Sequence, residues 1–294
     1  MAKEKVKAKM PKEGILDKEI PDGKDIEFKG EIKGDLPTEQ KEEETEDEQT
    51  TFHLVAKAGL LRDTIELCSE LVDDIKLKIK AKGIKIQAVD PAHVCLVDLF
   101  LENDACDEFE ATNIELGINL GKLSDILKLA KDIVTMDYDQ KENRLIIKMD
   151  TLTRKMGVID PESINDPNIP KLVSPGQFTM AAPHFLRTLT ASEQISDHMK
   201  ITVDKNGVEM FAESDADVVD DKLPKELLDS LETTGTFTSM YALDYLKNII
   251  KGAKGAIEFG MSNDNPLQVS YKFAEGKGTV QYTLAPRIES EDNQ

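Results

Sequence analysis

The sequence has no unbroken apolar run of the roughly 18 residues that a membrane helix needs, which excludes a helical span. Its basic start, residues 1–10, is followed by no apolar segment of the roughly 7–15 residues that mark a secretory leader, so the protein is expected to stay inside the cell. Cysteine is scarce. Cys68, Cys95 and Cys106 show no C-x-x-C spacing, which fits packed thiols in a reducing compartment and gives neither a disulfide framework nor a zinc site. The four histidines, His53, His93, His184 and His198, are scattered, and no H-E-x-x-H, G-x-S-x-G or G-x-x-x-x-G-K-[ST] string occurs. Adjacent acids such as Asp73-Asp74 and Asp220-Asp221 are expected by chance among 57 acidic residues and read as solvated faces rather than a metal site. No enzyme activity, cofactor or metal is therefore expected. Basic residues are also in deficit: 37 Lys and Arg against 57 Asp and Glu leave a formal charge of −20. A coat for nucleic acid over the whole surface is thereby excluded, and any DNA contact must be local.

What is present suffices for about two domains, since 294 residues with 39% hydrophobic content can bury real cores. Residues 1–50 are different: they hold ten Lys and sixteen Asp or Glu and close on Glu42-Glu43-Glu44-Thr45-Glu46-Asp47-Glu48. Such a segment cannot pack a core and is expected to be a disordered charged extension.

From Phe52 onward one unit recurs four times, a helix followed by a strand hairpin with a polar turn. Helices are expected at 59–72, at 121–131, from Pro183 onward and at 241–253, with starts 62, 62 and 58 residues apart. Apolar steps of three and four set their inward faces. These are Leu61, Ile65, Cys68, Leu71 and Val72 in the first helix, and Leu123, Ile126, Leu127 and Ala130 in the second. The third turns Phe185, Leu186, Leu189 and Ile195 inward, and the fourth Leu243, Leu246, Ile249 and Ile250. Period-two segments with turns at Lys82-Gly83, Lys141-Glu142-Asn143, Lys205-Asn206-Gly207 and Gly276-Lys277-Gly278 supply the hairpins. Between the second and third units, Pro161, Pro167, Pro170 and Pro175 mark an extended connector that is unusually apolar, carrying Ile164, Ile169, Leu172 and Val173.

Four strings stand in a fixed order on this repeated body. They are Ala88-Val89-Asp90-Pro91-Ala92-His93-Val94-Cys95-Leu96-Val97-Asp98-Leu99, Ile169-Pro170, Asn265-Pro266-Leu267 and Leu284-Ala285-Pro286-Arg287-Ile288-Glu289. Their order and spacing over 52–289 resemble the proliferating cell nuclear antigen family of DNA sliding clamps, in its archaeal type. The resemblance implies an α+β DNA clamp fold, with two similar domains per subunit built from four helix-plus-strands repeats, helices inside and sheets outside a closed ring. The domains would be 51–159 and 177–289, joined by a connecting loop at 160–176, with a charged extension at 1–50 and a tail at 290–294. Ring closure would pair the strand near 152–159 with the strand near 208–214 of the next subunit, removing both exposed edges.

By the same resemblance the protein would be a DNA polymerase sliding clamp, a homotrimer around double-stranded DNA without catalysis of its own. It would tether DNA polymerase, clamp loader, flap endonuclease and DNA ligase through short peptide motifs, with no membrane partner. It would act in the cytoplasm at the nucleoid, or in the nucleus of a eukaryote. The partner-peptide pocket would comprise Val89, His93, Val94, Leu96, Ile169, Pro170, Pro266, Leu284, Ala285 and Pro286. DNA would face Arg62, Lys122, Lys128, Lys131, Arg187, Lys247, Lys251 and Lys254, although Asp63, Glu66, Glu70 and Asp125 dilute that charge. Lys76, Lys78 and Lys80 are expected to point outward instead. Alternatives are a checkpoint-type subunit of a heteromeric clamp and a metal-dependent phosphoryl-transfer enzyme.

Overall fold

The structure, a computed structural model, describes residues 51–288. The expected extension at 1–50 and tail at 290–294 lie outside the described residues. Within them, the first unit runs β1 (Phe52–Lys57), α1 (Ala58–Ser69), β2 (Asp74–Lys80), β3 (Gly83–Val89), β4 (Cys95–Glu102) and β5 (Glu108–Ala111). The second runs β6 (Ile114–Asn119), α2 (Leu120–Leu127), β7 (Ile133–Asp139), β8 (Arg144–Met149) and β9 (Leu152–Gly157). The third runs β10 (Gly176–Ala181), α3 (Ala182–Ser192), β11 (His198–Asp204), β12 (Gly207–Glu213), β13 (Val218–Pro224) and β14 (Ser230–Thr233). The fourth runs β15 (Phe237–Ala242), α4 (Leu243–Ile250), β16 (Ala256–Met261), β17 (Leu267–Phe273) and β18 (Gly278–Leu284).

Each unit thus opens on a strand that leads straight into its helix, an element the helix-first reading omits. Alternation such as Phe52, Leu54 and Ala56, all buried, is its signature.

The strands form three antiparallel sheets, ordered β5-β1-β7-β8-β9, β14-β10-β16-β17-β18-β4-β3-β2-β6 and β13-β12-β11-β15. The nine-stranded sheet crosses both halves of the chain, because β18 pairs with β4 from Gly278↔Leu101 to Leu284↔Cys95. One continuous core follows, built from the inner residues of these strands and the apolar faces of all four helices. The helices stand in a row: α1 packs on α2, α3 packs on α4, and ion pairs from Lys251 and Lys254 close the α1–α4 seam.

Local chemistry sets the helix ends. The Asn119 side chain accepts the Lys122 N–H at 3.0 Å to start α2, and Pro183 sits in the first turn of α3. The second helix stops at Leu127, where Arg62 donates to the carbonyls of Leu127 and Ala130 at 3.0 and 2.9 Å. Lys131 therefore lies beyond the helix expected to carry it. Leu186, expected inward, is 45% exposed, because Phe185, Thr188 and Leu189 fix the buried face of α3 and leave Leu186 about 100° off it.

One edge strand also needs correction. The strand at 208–214 is β12, which is internal, paired with β11 and with β13 from Gly207↔Pro224 to Glu213↔Val218. The edge is β13, whose run of Asp220, Asp221 and Lys222 has the charged character of an edge strand. The opposite edge expected at 152–159 is an edge, namely β9.

Candidate functional site

The connector crosses the outer face of the nine-stranded sheet, opposite the helices. Asp160 caps a short helical turn at Pro161–Ser163, accepting the Glu162 N–H at 3.0 Å. Three residues beyond that turn, the Asp166 carboxylate reaches Lys78 Nζ at 2.9 Å and Lys76 Nζ at 3.3 Å, both on the outer side of β2. These hydrogen bonds, Lys78 first, hold the Asp166 carboxyl below its ordinary range. Lys76 and Lys78 thus face outward as expected and serve to pin the connector.

At the other end Ser174 Oγ donates to Gln268 Oε1 on β17 at 2.7 Å. Four strand spacings of about 4.8 Å separate β2 from β17, roughly 19 Å, and the eight residue steps from Asp166 to Ser174 span at most about 27 Å. The segment between the two pins is stretched over β3, β4 and β18, and it leaves Ile169 36% and Val173 85% exposed.

Beside this strap, three strands end together. Leu267, Leu284 and Cys95 are in register, so Pro266, Ala285 and Val94 follow at the sheet end, and Ala285 N–H donates to the Val94 carbonyl at 2.8 Å. Arg287 then fixes the last described segment: its N–H donates to the Met240 carbonyl at 2.7 Å and its guanidinium meets Asp197 at 2.8 Å. Val94, Ala285, Pro286 and Pro266 are half-buried, and His93 is exposed in the left-handed region at φ 56°.

Two of the expected pocket residues do not belong to its surface. Leu284 is 0% and Leu96 3% exposed, Leu284 because it faces the helices and Leu96 because it lies between Val89 and Thr283 across three strands. Val89 is half-buried next to Leu96, and Pro170 is half-buried in the strap. Exposed Val173 and Ile288 are outside the expected set, although their apolar character at the strap and after the last strand is visible in the sequence.

On the helix side, six of the eight expected cations are engaged by the chain itself. Lys251, at the C-terminal end of α4, meets Glu66 of α1 and Glu70 at the end of α1 at 2.8 and 3.0 Å, and Lys254 meets Asp63 at 2.9 Å. Lys247 meets Glu193 at 2.8 Å, Lys128 meets Asp125 at 2.9 Å, and Arg187 lies 3.7 Å from Asp221. Arg62 is spent on the carbonyls at the end of α2. Lys122 and Lys131 are exposed and carry no ion pair among the described residues. The Glu66 and Glu70 hydrogen bonds raise the Lys251 pKa, and that of Asp63 raises Lys254, so both stay charged. The helix face is therefore a mixed field rather than a basic groove.

At the end of this row Asp221 of β13 accepts from Thr188 and lies 3.0 Å from His184 Nε2, which ties α3 to the edge strand. Among the described residues no helix is long and apolar enough to cross a membrane, and no group of three or more His, Cys, Asp or Glu is placed to hold a metal.

Four repeated units, two similar halves sharing one long sheet, a row of helices on one side and an apolar strap on the other define the sliding-clamp class of protein. Comparison with known families agrees. The model for the proliferating cell nuclear antigen N-terminal domain matches residues 53–160, and that for its C-terminal domain matches 169–287. Relatives named DNA polymerase sliding clamp include one from Methanococcoides burtonii, 36% identical over 245 residues that make up 82% of this chain and 100% of the relative. Another, from Haloarcula marismortui, is 36% identical over 248 residues with the same coverage. A solved structure described as the C-terminal region of FEN-1 bound to A. fulgidus PCNA superposes with a TM-score of 0.77 at 28% identity, over 82% of this chain and 100% of that one. The chain belongs to the proliferating cell nuclear antigen family of DNA polymerase sliding clamps.

Proposed function

We propose that three copies of this chain close head to tail into a ring around duplex DNA, where the ring acts without catalysis as a mobile tether for replication and repair enzymes. The observation that supports this reading is the complementarity of two of the sheet edges, β9 and β13. Edge strand β9 presents exposed Leu152, Arg154 and Lys155, whereas edge strand β13 presents exposed Val218 with Asp220. Unpaired edges invite strand addition, and two unlike edges on one subunit favour a heterologous contact that closes by rotation. Exposed Leu186 lies on α3, which packs against β13, and extends the apolar part of that end.

The mixed charge on the helix row suits the role. A closed ring is retained by topology, so its phosphate contacts need only be weak enough to slide, and Lys122 and Lys131 provide the least encumbered ones. Partner enzymes would dock a short peptide with apolar anchors against Ile169, Pro170, Val94, Pro266, Ala285 and Pro286, with His93 and Val89 at its margin. The resemblance to a clamp described with the C-terminal region of FEN-1 supports a flap endonuclease as one such partner; polymerase, clamp loader and ligase would use the same site in turn. Tethering then raises the effective concentration of each enzyme at DNA even when each contact is modest. Action at the cytoplasmic nucleoid accords with the archaeal sources of the relatives.

Sedimentation equilibrium on the full 32.7 kDa chain tests the ring. A mass three times that of the subunit is expected. A monomer at micromolar concentration would overturn the homotrimer and place the chain in a ring with different subunits.

A further inference from the structure

Between α4 and the end of β3, the loop that carries His93 and Val94 is organised by one carboxylate. Asp90 is only 4% exposed. Its Oδ1 accepts the N–H groups of Val94 and Cys95, each at 2.7 Å, and its Oδ2 accepts the Ala92 N–H at 3.1 Å. The fourth donor comes from the other half of the chain: the Tyr245 hydroxyl on α4 donates to Oδ2 at 2.7 Å, across 155 residues of sequence. No Lys, Arg or His among the described residues pairs with Asp90, so these four donors alone compensate a buried charge. Burial, followed by the neighbouring Asp90, pushes the Tyr245 pKa well up, which keeps the hydroxyl protonated as a donor.

In the loop so held, His93 sits at φ 56°, in the left-handed region that residues with a Cβ adopt uncommonly, although histidine does so more readily than most. Val94, one residue on, receives Ala285 N–H at its carbonyl and thereby sets the distance between the loop and the last strand.

We propose that Tyr245 is a positioning residue for the partner-peptide site: from the helix row it fixes the 90–95 loop, through Asp90, in the shape that presents His93 and Val94. This rests on the proposed docking site. It implies that the site draws on both halves of the chain, the strap and sheet end on one side of the loop and a DNA-side helix on the other. An open depression of about 350 Å³ flanks the Tyr245–Asp90 contact, lined by Glu70, Leu71, Pro91, Ala92, Asp244 and Asn248. Water can enter there and replace a missing hydroxyl in part, so loosening rather than collapse is the expected result of removing it.

The test uses the full chain and a fluorescent peptide of the C-terminal region of FEN-1, with Tyr245→Phe and Ile169→Ala compared by anisotropy. Loss of one hydrogen bond to a buried charge should weaken peptide binding about threefold to tenfold in Tyr245→Phe. Amide exchange at Val94 and Cys95 should quicken, while sedimentation mass and exchange in the sheets stay as in the parent. Unchanged peptide affinity in Tyr245→Phe, with Ile169→Ala impaired, would overturn the role of Tyr245 and leave the site standing. Weaker binding without faster exchange at Val94 and Cys95 would overturn positioning as its route. Ile169→Ala binding as well as the parent would overturn the site itself.

Discussion

Lys251 Nζ lies 2.8 Å from Glu66 and 3.0 Å from Glu70, so a lysine of the helix row joins α4 to α1 across the two halves of the chain. Its charge is shared before any phosphate arrives. Lys122, exposed on α2 with no such partner among the described residues, is differently placed. Removing a single lysine–phosphate interaction should reduce the slope of log affinity against log salt by about 0.9. Lys122→Ala is expected to approach that value on a short duplex, and Lys251→Ala to fall well short of it while lowering the melting temperature. Equal slopes for the two variants would show that the ion pairs open on DNA.

Leu284 and Ile169 separate core from site. Leu284 is fully buried, and Leu284→Ala should leave a cavity and cost about 2–5 kcal/mol, read by urea unfolding. Ile169 is partly in solvent on the strap, so Ile169→Ala should cost about 1 kcal/mol of stability, clearly less than Leu284→Ala, while weakening capture of a partner peptide. A large stability loss in Ile169→Ala would mean that the strap packs as core and presents no anchor.

His53 on β1 supplies a pH signature of the first sheet. Its Nδ1 lies 2.6 Å from Asp137 Oδ1, and that hydrogen bond is the main cause of a raised His53 pKa. Burial pushes Asp137 up, but Lys148 and His53 together outweigh it, and its pKa is lowered. A raised histidine pKa contributes stability that is whole below the unfolded value of about 6.5 and fades as pH rises through the folded one. The lowered Asp137 works in the opposite direction, contributing above about 3.9 and fading as pH falls through its folded value. His53→Gln should therefore lose melting temperature relative to the parent near pH 5.5 and converge with it near pH 9. A constant difference across that range would mean that the pair does not titrate with folding.

The apolar stepping of Leu61, Ile65 and Cys68, or of Leu243, Leu246 and Ile250, carries enough information to place a helix and its buried face, because burial selects residue type at each turn. Leu186 shows where that rule stops: Phe185 and Leu189, with Thr188, fix the phase of α3, Leu186 is left outside, and Ile195 falls beyond the end of the helix at Ser192. The true edge strand also escapes the sequence pattern. Val208, Met210 and Ala212 alternate cleanly because β12 is internal, whereas β13 carries the charges that protect an edge and shows no such apolar alternation. Least legible are contacts between distant parts of the chain. Asp90 is visible within its string, yet nothing local announces that Tyr245 completes its hydrogen bonding, or that Asp166 pins the strap to Lys76 and Lys78. Apolar residues in a proline-rich connector do signal the strap, since their exposure is costly without a partner.

Arg154 on β9 decides between ring closure and an idle edge. Its neighbour Lys155 is engaged with Glu142 at 2.8 Å, whereas Arg154 has no ion pair among the described residues. On the opposite edge Asp220 is held by Lys222 at 2.9 Å and stands next to Asp221, so that end presents more negative than positive charge. Arg154→Glu would set like charges against each other within a Debye length of about 8–10 Å, which weakens association even without a direct contact. Sedimentation at micromolar concentration should then show mass falling toward the monomer, and adding Asp220→Lys to the same chain should recover much of the trimer. Low salt should deepen the defect of the single variant, because screening is what relieves the repulsion. A trimer as tight as the parent's in Arg154→Glu at every salt concentration would remove β9 from the contact and with it the head-to-tail ring built on these two edges.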